Sequence, residues 1–292
     1  MASSNMNVTT AGVHIPDVWV QGLLKAIEFE IELAPRVDRS WEFVGFGDTY
    51  RKQRIPNLTV ETKSAGSDLT PKAYQDTEQT ISINIHQGTA IACESIVDVL
   101  NKNDIAGAMQ SQMGYALARA TDVNIAALFA SFSQIVGTLG VEITFDLLLR
   151  AVQYVRDAGF KMADCTLFFS PAQRIALHKM DSFTHASYRG EDNAKKSSEK
   201  GDIQMFMGAP IVESNLITAP AAGQHENGLV HKTGIALIVA RETKIWTESI
   251  ALGLKEVVAA EKIYGLSEVD RYSETPENIT ATDENLVLIR GV

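Results

Sequence analysis

Residues 45–87 read GFGDTYRKQRIPNLTVETKSAGSDLTPKAYQDTEQTISINIHQ, and they are more informative about the architecture than any other part of the chain. Apolar and polar residues alternate over 58–62 and again over 81–85, a pattern typical of β-strands. The connecting residues 61–78 carry too few apolar side chains to form a core. Because a two-stranded ribbon is marginally stable alone in water, we expect it to lie on another surface, of its own domain or of a neighbouring copy.

The chain before this ribbon divides into an arm and a helix. The first dozen residues are small and polar, which is typical of a terminus that becomes ordered only against a partner. Pro16 and Asp17 begin a helical pattern that ends before Pro35. The polar face of this predicted helix carries Glu28, Glu30 and Glu32.

After the ribbon, helical spacing of apolar residues predicts one long helix. It begins at a cap formed by Asn103 or Asp104 and ends near Phe132. At about 1.5 Å per residue this helix is about 40 Å long, and we call it the spine helix. Its predicted buried stripe consists of Ile105, Met109, Met113, Ala116, Leu117, Ala120, Val123 and Ala127.

The remaining residues predict a mixture of helices and strands. Thr144 caps a second helix that stops at Gly159, and Ser170 followed by Pro171 begins a third. We interpret residues 183–201 as an exposed charged loop and 218–228 as a turn. The predicted strands are Thr166–Phe169, Pro210–Ser214, Gly234–Ala240, Lys255–Tyr264, Leu266–Tyr272 and Leu286–Ile289.

Composition limits the class of protein. Hydrophobic residues make up 45% and charged residues 21%, as in ordinary globular chains. The net charge of −10 argues against a surface that binds nucleic acid throughout, because phosphates require excess Lys and Arg. Cys93 and Cys165 form no CxxC pair and are interpreted as small buried hydrophobes. The start lacks a signal peptide, and the longest apolar run, Ile235–Ala240, is too short to span a bilayer, which predicts a cytosolic origin and no membrane.

Motifs that carry chemistry are weak in this sequence. His225 and His231 are six residues apart in a predicted polar loop, which does not match helical metal-ligand spacing. No serine lies in a Gly-x-Ser-x-Gly elbow, and Cys165 lies inside a predicted strand. Gly45-Phe46-Gly47 lacks the third glycine of a nucleotide loop and is interpreted as a bend. We therefore predict no catalytic residue, cofactor or metal.

The densest basic cluster is Arg51-Lys52-Gln53-Arg54. It is interpreted as a solvated strand edge, or alternatively as a patch that pairs with an acidic face of a neighbouring subunit, such as the glutamates of the first helix or the acidic C-terminal third. The candidate contacts between subunits are Arg51, Lys52, Arg54, Lys63, Asp68, Lys72, Glu28, Glu30 and Glu32.

The order of arm, ribbon, spine helix, mixed region and returning strands resembles that of the tailed-bacteriophage major capsid proteins, which have the Hong Kong 97-type fold. Ile15–Trp19 is similar to the first helix of that family, and 45–87 resembles its extended E-loop. Ser170-Pro171 with Leu177 resembles a strand-to-helix step in the family's axial domain, and Gly208–Asn215 a turn in the same domain.

This resemblance implies an α+β chain that self-assembles into hexamers and pentamers of an icosahedral head around double-stranded DNA. The implied partners are further copies of the chain, a scaffolding protein, a portal protein, a decoration protein and the packaged DNA through nonspecific contacts. The implied location is the virion, with assembly in the host cytoplasm. The implied segments are an arm and first helix (1–44), an E-loop (45–88), a peripheral domain (89–143), an axial domain (144–244) and returning strands (245–292).

The sequence departs from the family in two respects, and it is also compatible with two other functions. No helical propeptide precedes Ile15, which favours a separate scaffolding protein. Some relatives crosslink an E-loop lysine to a neighbour, and Lys52, Lys63 and Lys72 are available, but no motif selects one. The alternative functions are the shell of an encapsulin-like nanocompartment and, from another class, a cytosolic α/β enzyme without a recognisable motif.

Overall fold

The structure is a computed structural model that describes residues 31–41, 45, 47–54, 60–71, 77–94, 105–184, 203–269, 271–272, 281–282 and 285–291. Its helices are α1 (Ile105–Leu128), α2 (Phe145–Asp157), α3 (Pro171–His178) and α4 (Asp181–Thr184). Its strands are β1 (Thr49–Arg54), β2 (Thr77–Ser82), β3 (Ile85–Glu94), β4 (Gln134–Val136), β5 (Cys165–Phe169), β6 (Met205–Phe206), β7 (Ala209–Glu213), β8 (His225–His231), β9 (Ile235–Ile250), β10 (Lys255–Glu268), β11 (Arg271–Tyr272), β12 (Ala281–Thr282) and β13 (Leu286–Gly291).

A mixed six-stranded sheet, in the order β4-β13-β8-β5-β7-β6, forms one half of the fold. Its two faces are both covered, because alternate residues of the central strands enter different cores. Phe169 packs with α2 on one face, whereas Phe168 packs with the end of α1 on the other. The predicted α+β character of the chain follows from this arrangement.

A three-stranded antiparallel sheet, β3-β10-β9, forms the other half. The long hairpin of β9 and β10 joins the two halves, since Ile235, Leu237 and Tyr264 lie in the same core as the end of α1. Farther along the hairpin, Met113 and Leu117 of α1 pack on one face of the sheet. Beyond this contact, residues 241–249 of β9 are exposed throughout.

The predicted spine helix is confirmed as α1, and its 24 residues span about 36 Å. The predicted caps of the next two helices are also confirmed. Thr144 Oγ1 accepts a hydrogen bond from Leu147 N at 3.4 Å, and Ser170 Oγ accepts one from Gln173 N at 3.4 Å. The cap residues expected for the spine helix, 103 and 104, lie outside the described residues.

The predicted buried stripe of the spine helix is wrong in part. Met109, Ala116, Val123 and Ala127 are exposed, and two polar residues, Thr121 and Asp122, are buried instead. Polar side chains can be buried at low cost when they are hydrogen-bonded. Asp122 binds residues 32–34, and Thr121 binds Lys262 as well as Leu117 one turn earlier, so helical spacing could not indicate the distant partners.

Three strand predictions also need correction. Residues 60–62 lie in no strand, and the first strand of the ribbon is β1, which contains the basic cluster. His225 and His231 do not lie in a loop, because both belong to β8 of the large sheet. The break predicted at Gly265 is absent, since β10 continues through it.

The segment before the ribbon is fixed to both halves of the fold. The Asp122 carboxylate of α1 accepts hydrogen bonds from the backbone N–H groups of Glu32 (2.9 Å), Leu33 (3.0 Å) and Ala34 (2.9 Å). Four residues later, Asp38 N donates to Ile235 O at 2.9 Å and Asp38 O accepts from Leu237 N at 2.9 Å. The spine helix and the hairpin therefore hold the same short segment.

We expect Asp122→Ala to lower the free energy of unfolding by about 3 kcal/mol, because it leaves buried N–H groups without an acceptor. Urea unfolding followed by circular dichroism measures this loss. Val123→Ala, at the exposed neighbouring position, is the matched control and should cost about 0.5 kcal/mol or less. Equal effects of the two substitutions would contradict the anchoring role of the carboxylate.

Candidate inter-subunit surface

The base of the ribbon is packed firmly against the hairpin. β1 and β2 pair antiparallel from Thr49 opposite Ser82 to Arg54 opposite Thr77. Ile81 at the base is buried with Trp41 and Ile238. Gly265 allows this close approach, because a Cβ atom there would lie 2.6 Å from the Ser82 carbonyl oxygen.

The tip of the ribbon, residues 60–71, is exposed at every position. It turns at Gly66, which has a φ of +86°, and Ser67 N donates to Ser64 O at 3.2 Å. Two apolar side chains, Val60 and Leu69, are 97% and 57% exposed. An apolar side chain gains stability only when it is removed from water, so these two residues suit a contact with another molecule.

A second exposed surface lies on the three-stranded sheet, on the face away from α1. Glu261 lies at its centre. The Glu261 carboxylate accepts hydrogen bonds from Arg241 and from Trp246 Nε1, the latter at 3.0 Å, and it also lies 3.0 Å from His86 Nε2. The hydrogen bonds from Arg241, Trp246 and His86 lower the pKa of Glu261 to about 2. We call this group the Glu261 cluster.

The residues around the Glu261 cluster on this face are exposed to solvent. Lys244 Nζ lies 3.8 Å from the centroid of the Trp246 ring, a cation–π contact. Along β3, the residues on this face are Gly88, Ala90 and Ala92, all exposed. Sequence reasoning missed this surface, because only the register of three strands places residues 86, 241, 246 and 261 together.

A polar cavity of about 460 Å³ lies between the 32–36 segment and the start of α3. Its charged side chains are paired, Arg36 with Glu32 at 3.3 Å and Arg174 with Glu213 at 3.4 Å. Over the described part of the chain, no three His, Cys, Asp or Glu residues are grouped so that they could hold a metal ion. No helix among those residues is both long and apolar enough to cross a membrane.

Comparisons by sequence find no known relative, whereas comparisons by structure find several. No family model matches the sequence, and no curated protein does. Among solved structures, a chain of Mycobacterium phage Che8 has a TM-score of 0.79 at 20% identity, with 94% of this chain and 96% of that chain covered. The capsid of cyanophage P-SCSP1u has a TM-score of 0.78 at 14% identity, with 99% and 96% covered. The acid-stable capsid of Helicobacter pylori bacteriophage KHP30 has a TM-score of 0.79 at 12% identity, with 100% and 99% covered.

This chain has the phage capsid fold. The Hong Kong 97-type fold predicted from the order of the elements is thereby confirmed. Such similarity at 12–20% identity follows from shared architecture, because many sequences can satisfy one pattern of buried and exposed positions.

Within this capsid fold, the predicted contact residues fall on different elements. Arg51 forms an ion pair with Glu78 at 3.1 Å, and Lys52 Nζ lies 4.8 Å from the Trp41 ring centroid. Lys63 and Asp68 are exposed on the ribbon tip. Glu32 lies beside the spine helix and pairs with Arg36. Glu28, Glu30, Lys72 and the side chain of Arg54 lie outside the described residues.

The contact between the spine helix and the sheet contains a buried lysine. Lys262 Nζ donates to Thr121 Oγ1 at 3.0 Å, and the Thr121 hydroxyl donates in turn to Leu117 O at 3.0 Å. Burial lowers the pKa of the Lys262 ammonium, since water solvates the charged form better than the interior does. The protonated form of Lys262 therefore stabilises the folded chain less than the unprotonated form does.

We expect Lys262→Met to raise the free energy of unfolding by about 1–3 kcal/mol at neutral pH, because it removes a buried charge and keeps the volume. The gain should shrink as the pH rises towards 10.5, where the unfolded lysine also loses its proton. Urea unfolding at several pH values measures it. Lys179→Met, at a side chain that is 65% exposed, is the control; a larger gain there, or a loss at Lys262, would contradict this interpretation.

The Glu261 cluster predicts that the stability of the folded chain decreases at low pH. The pKa of Glu261 is about 2 in the folded chain and 4.5 without these contacts, so its contribution is complete above pH 4.5 and is lost as the pH falls towards 2. The stability difference between the wild type and Glu261→Gln should fall over that range in thermal unfolding. Glu248→Gln, on the exposed part of β9, is the control. A difference that stays constant from pH 5 to about 2 would refute the role of the cluster.

Proposed function

We propose that this chain is the major capsid protein of a tailed bacteriophage. In this proposal, copies assemble into hexamers and pentamers that close an icosahedral shell around packaged double-stranded DNA. The observation that supports it best is a ribbon whose base is packed and whose tip is exposed at every position, on a chain with the phage capsid fold. Such a ribbon is suited to reach over an adjacent subunit.

The segments of the chain take the following roles in this proposal. Residues 1–44 are an arm and first helix, 45–88 the E-loop, 89–143 the peripheral domain, 144–244 the axial domain and 245–292 the returning strands. The hairpin of β9 and β10 crosses the last of these boundaries, because β9 runs from Ile235 to Ile250.

Contacts between subunits are proposed at the charged residues of the ribbon and the first helix. The ribbon supplies Arg51, Lys52, Arg54, Lys63, Asp68 and Lys72, and the first helix supplies Glu28, Glu30 and Glu32. Each exposed ion pair contributes only about 0–1 kcal/mol. A closed shell repeats every such contact by symmetry, so weak pairs select the arrangement of the subunits while apolar burial supplies most of the stability.

The proposed partners are a scaffolding protein, a portal protein, a decoration protein and DNA bound without sequence preference. The proposed role is structural and involves no catalysis. The chain is expected in the virion, after assembly in the host cytoplasm. Nucleic acid inside native particles separates this function from that of an encapsulin-like compartment, which would contain cargo protein instead.

Replacing residues 61–70 with glycine and serine at the same length tests the ribbon. We expect a folded, soluble monomer by circular dichroism, since every replaced side chain is exposed, and we expect assembly to be lost. Sedimentation of the expressed protein, with its scaffolding protein if required, measures assembly. The same replacement at 219–222, an exposed turn of the axial region, is the control. Closed shells from the ribbon variant would overturn the proposed role of the tip.

A further inference from the structure

A short turn carries the chain from the large sheet into the hairpin. β8 ends at His231 and β9 begins at Ile235, so only three residues separate them. The packing here is tight, since a Cβ atom at Gly234 would lie 2.4 Å from Leu286 Cδ2. We call residues 231–234 the joint. Its conformation contributes to how firmly the two sheets are held to each other.

Backbone hydrogen bonds tie the joint to both sheets. Gly234 N donates to His231 O at 2.8 Å and closes the turn itself. His231 N donates to Asn285 O at 3.1 Å, directly before β13 of the large sheet. Gly234 O accepts from Val269 N at 2.8 Å, directly after β10 of the hairpin. A change in the joint therefore acts on strand ends in both halves of the fold.

The side chain of His231 closes the joint a second time. Thr233 N donates to His231 Nδ1 at 3.3 Å, and Thr233 Oγ1 lies 2.9 Å from the same nitrogen. A ring nitrogen accepts an N–H group only through its lone pair, so Nδ1 carries no proton here. The neutral ring then has its proton on Nε2. The imidazole acts as the acceptor for a backbone donor two residues later, as the side chain of an Asx turn does.

The surroundings of the ring favour its neutral form. His231 is 7% exposed, and the centroid of the Phe160 ring lies 4.6 Å from that of the imidazole. Burial lowers the pKa of His231, because water solvates the imidazolium better than the interior does. The closed joint thus disfavours the proton by geometry and by solvation together.

The charged groups near the ring come from the joint and from the turn before β5. Burial has the largest effect on the pKa of His231, the Asp164 carboxylate opposes it, and the Lys232 ammonium adds to it. Lys232 Nζ also donates to Asp164 Oδ1 at 2.7 Å. Lys161 adds a positive charge that acts on Asp164. Cys165 is the register partner of His231 on β5, and burial raises the pKa of its thiol to about 12, so it stays neutral.

We propose that His231 is a pH-sensitive latch on the joint. While the ring is neutral, Nδ1 accepts the Thr233 N–H and the joint stays closed. A proton added at Nδ1 turns this acceptor into a donor, so two N–H groups face each other and the joint opens. In acid the hairpin is then held less firmly to the large sheet. This property belongs to the single chain and does not depend on the proposed shell function.

Hydrogen exchange of the full chain, measured residue by residue, tests the latch. The Thr233 and Val269 amides report on the joint, because their acceptors are the His231 ring and Gly234 O. Below pH 6.5, the ordinary pKa of histidine, we expect both protection factors to fall by up to about tenfold per pH unit, since only the open joint takes up the proton. Constant protection down to about pH 5 would overturn the proposal.

The opening must also be local. Leu167 lies in β5 of the large sheet, and its amide should be better protected than those of the joint at every pH. Equal protection of Leu167, Thr233 and Val269 would mean that the joint opens only when the whole chain unfolds. That result would overturn the latch.

Replacing the ring with a side chain that does not titrate separates His231 from other groups. His231→Asn keeps an oxygen acceptor for the Thr233 N–H, and its protection factors at the joint should not depend on pH. His178→Asn, at the end of α3, is the matched control and should keep the wild-type dependence. A fall in His231→Asn as large as that of the wild type would show that another group titrates and would refute the role of His231.

Two charge variants and one spectrum complete the test. Lys232→Gln leaves the Asp164 carboxylate beside the ring, so the fall should begin at higher pH, and Asp164→Asn should move it to lower pH. Shifts in the opposite directions would contradict the proposed site of protonation. The tautomer can be measured in the wild type alone, by ¹H–¹⁵N spectra of the imidazole at about pH 8. We expect the proton on Nε2, and a proton on Nδ1 would overturn the latch even if His231→Asn does not fold.

Discussion

The antiparallel pairing of β9 with β10 is the constraint on which the rest of the structure depends. The first residues of β9 are buried between the end of the spine helix and the large sheet, so this end of the hairpin is fixed by packing. The same hairpin receives the base of the ribbon at Gly265 and the N-terminal segment at Ala236. Its far end leaves the core, with residues 241–249 exposed. One pair of strands thus connects a buried core to an exposed surface.

The contacts along the spine helix differ in character from those of an ordinary apolar core. Asp122 is buried because it binds three backbone N–H groups, and Lys262 is buried with a threonine hydroxyl as its hydrogen-bond partner. Polar contacts of this kind specify one arrangement, since an acceptor that loses its donors in the interior is costly. They also lower the net stability of this interface relative to an apolar one. The position of the helix is therefore specified by buried hydrogen bonds as well as by the burial of Met113, Leu117 and Ile125.

Local patterns in the sequence predicted the elements that depend on local interactions. The spine helix, the caps at Thr144 and Ser170, and the existence of the ribbon follow from spacing and capping, which involve residues a few positions apart. β8 was missed because Glu226 and Asn227 resemble turn residues. Glu226 is buried against Arg290, and Asn227 accepts a hydrogen bond from Ser170 N at 2.8 Å. Partners this distant in sequence also produced the Glu261 cluster, which no spacing rule could have indicated.

The exposed tip of the ribbon, on a chain with the phage capsid fold, is the observation that best supports the proposed shell function. Electron microscopy of the full chain, expressed with its scaffolding protein if required, tests that function most directly. We expect closed shells, or rings of five and six subunits. A homogeneous species of 31.8 kDa that forms neither, at any concentration examined, would contradict the central claim that this chain is a shell subunit.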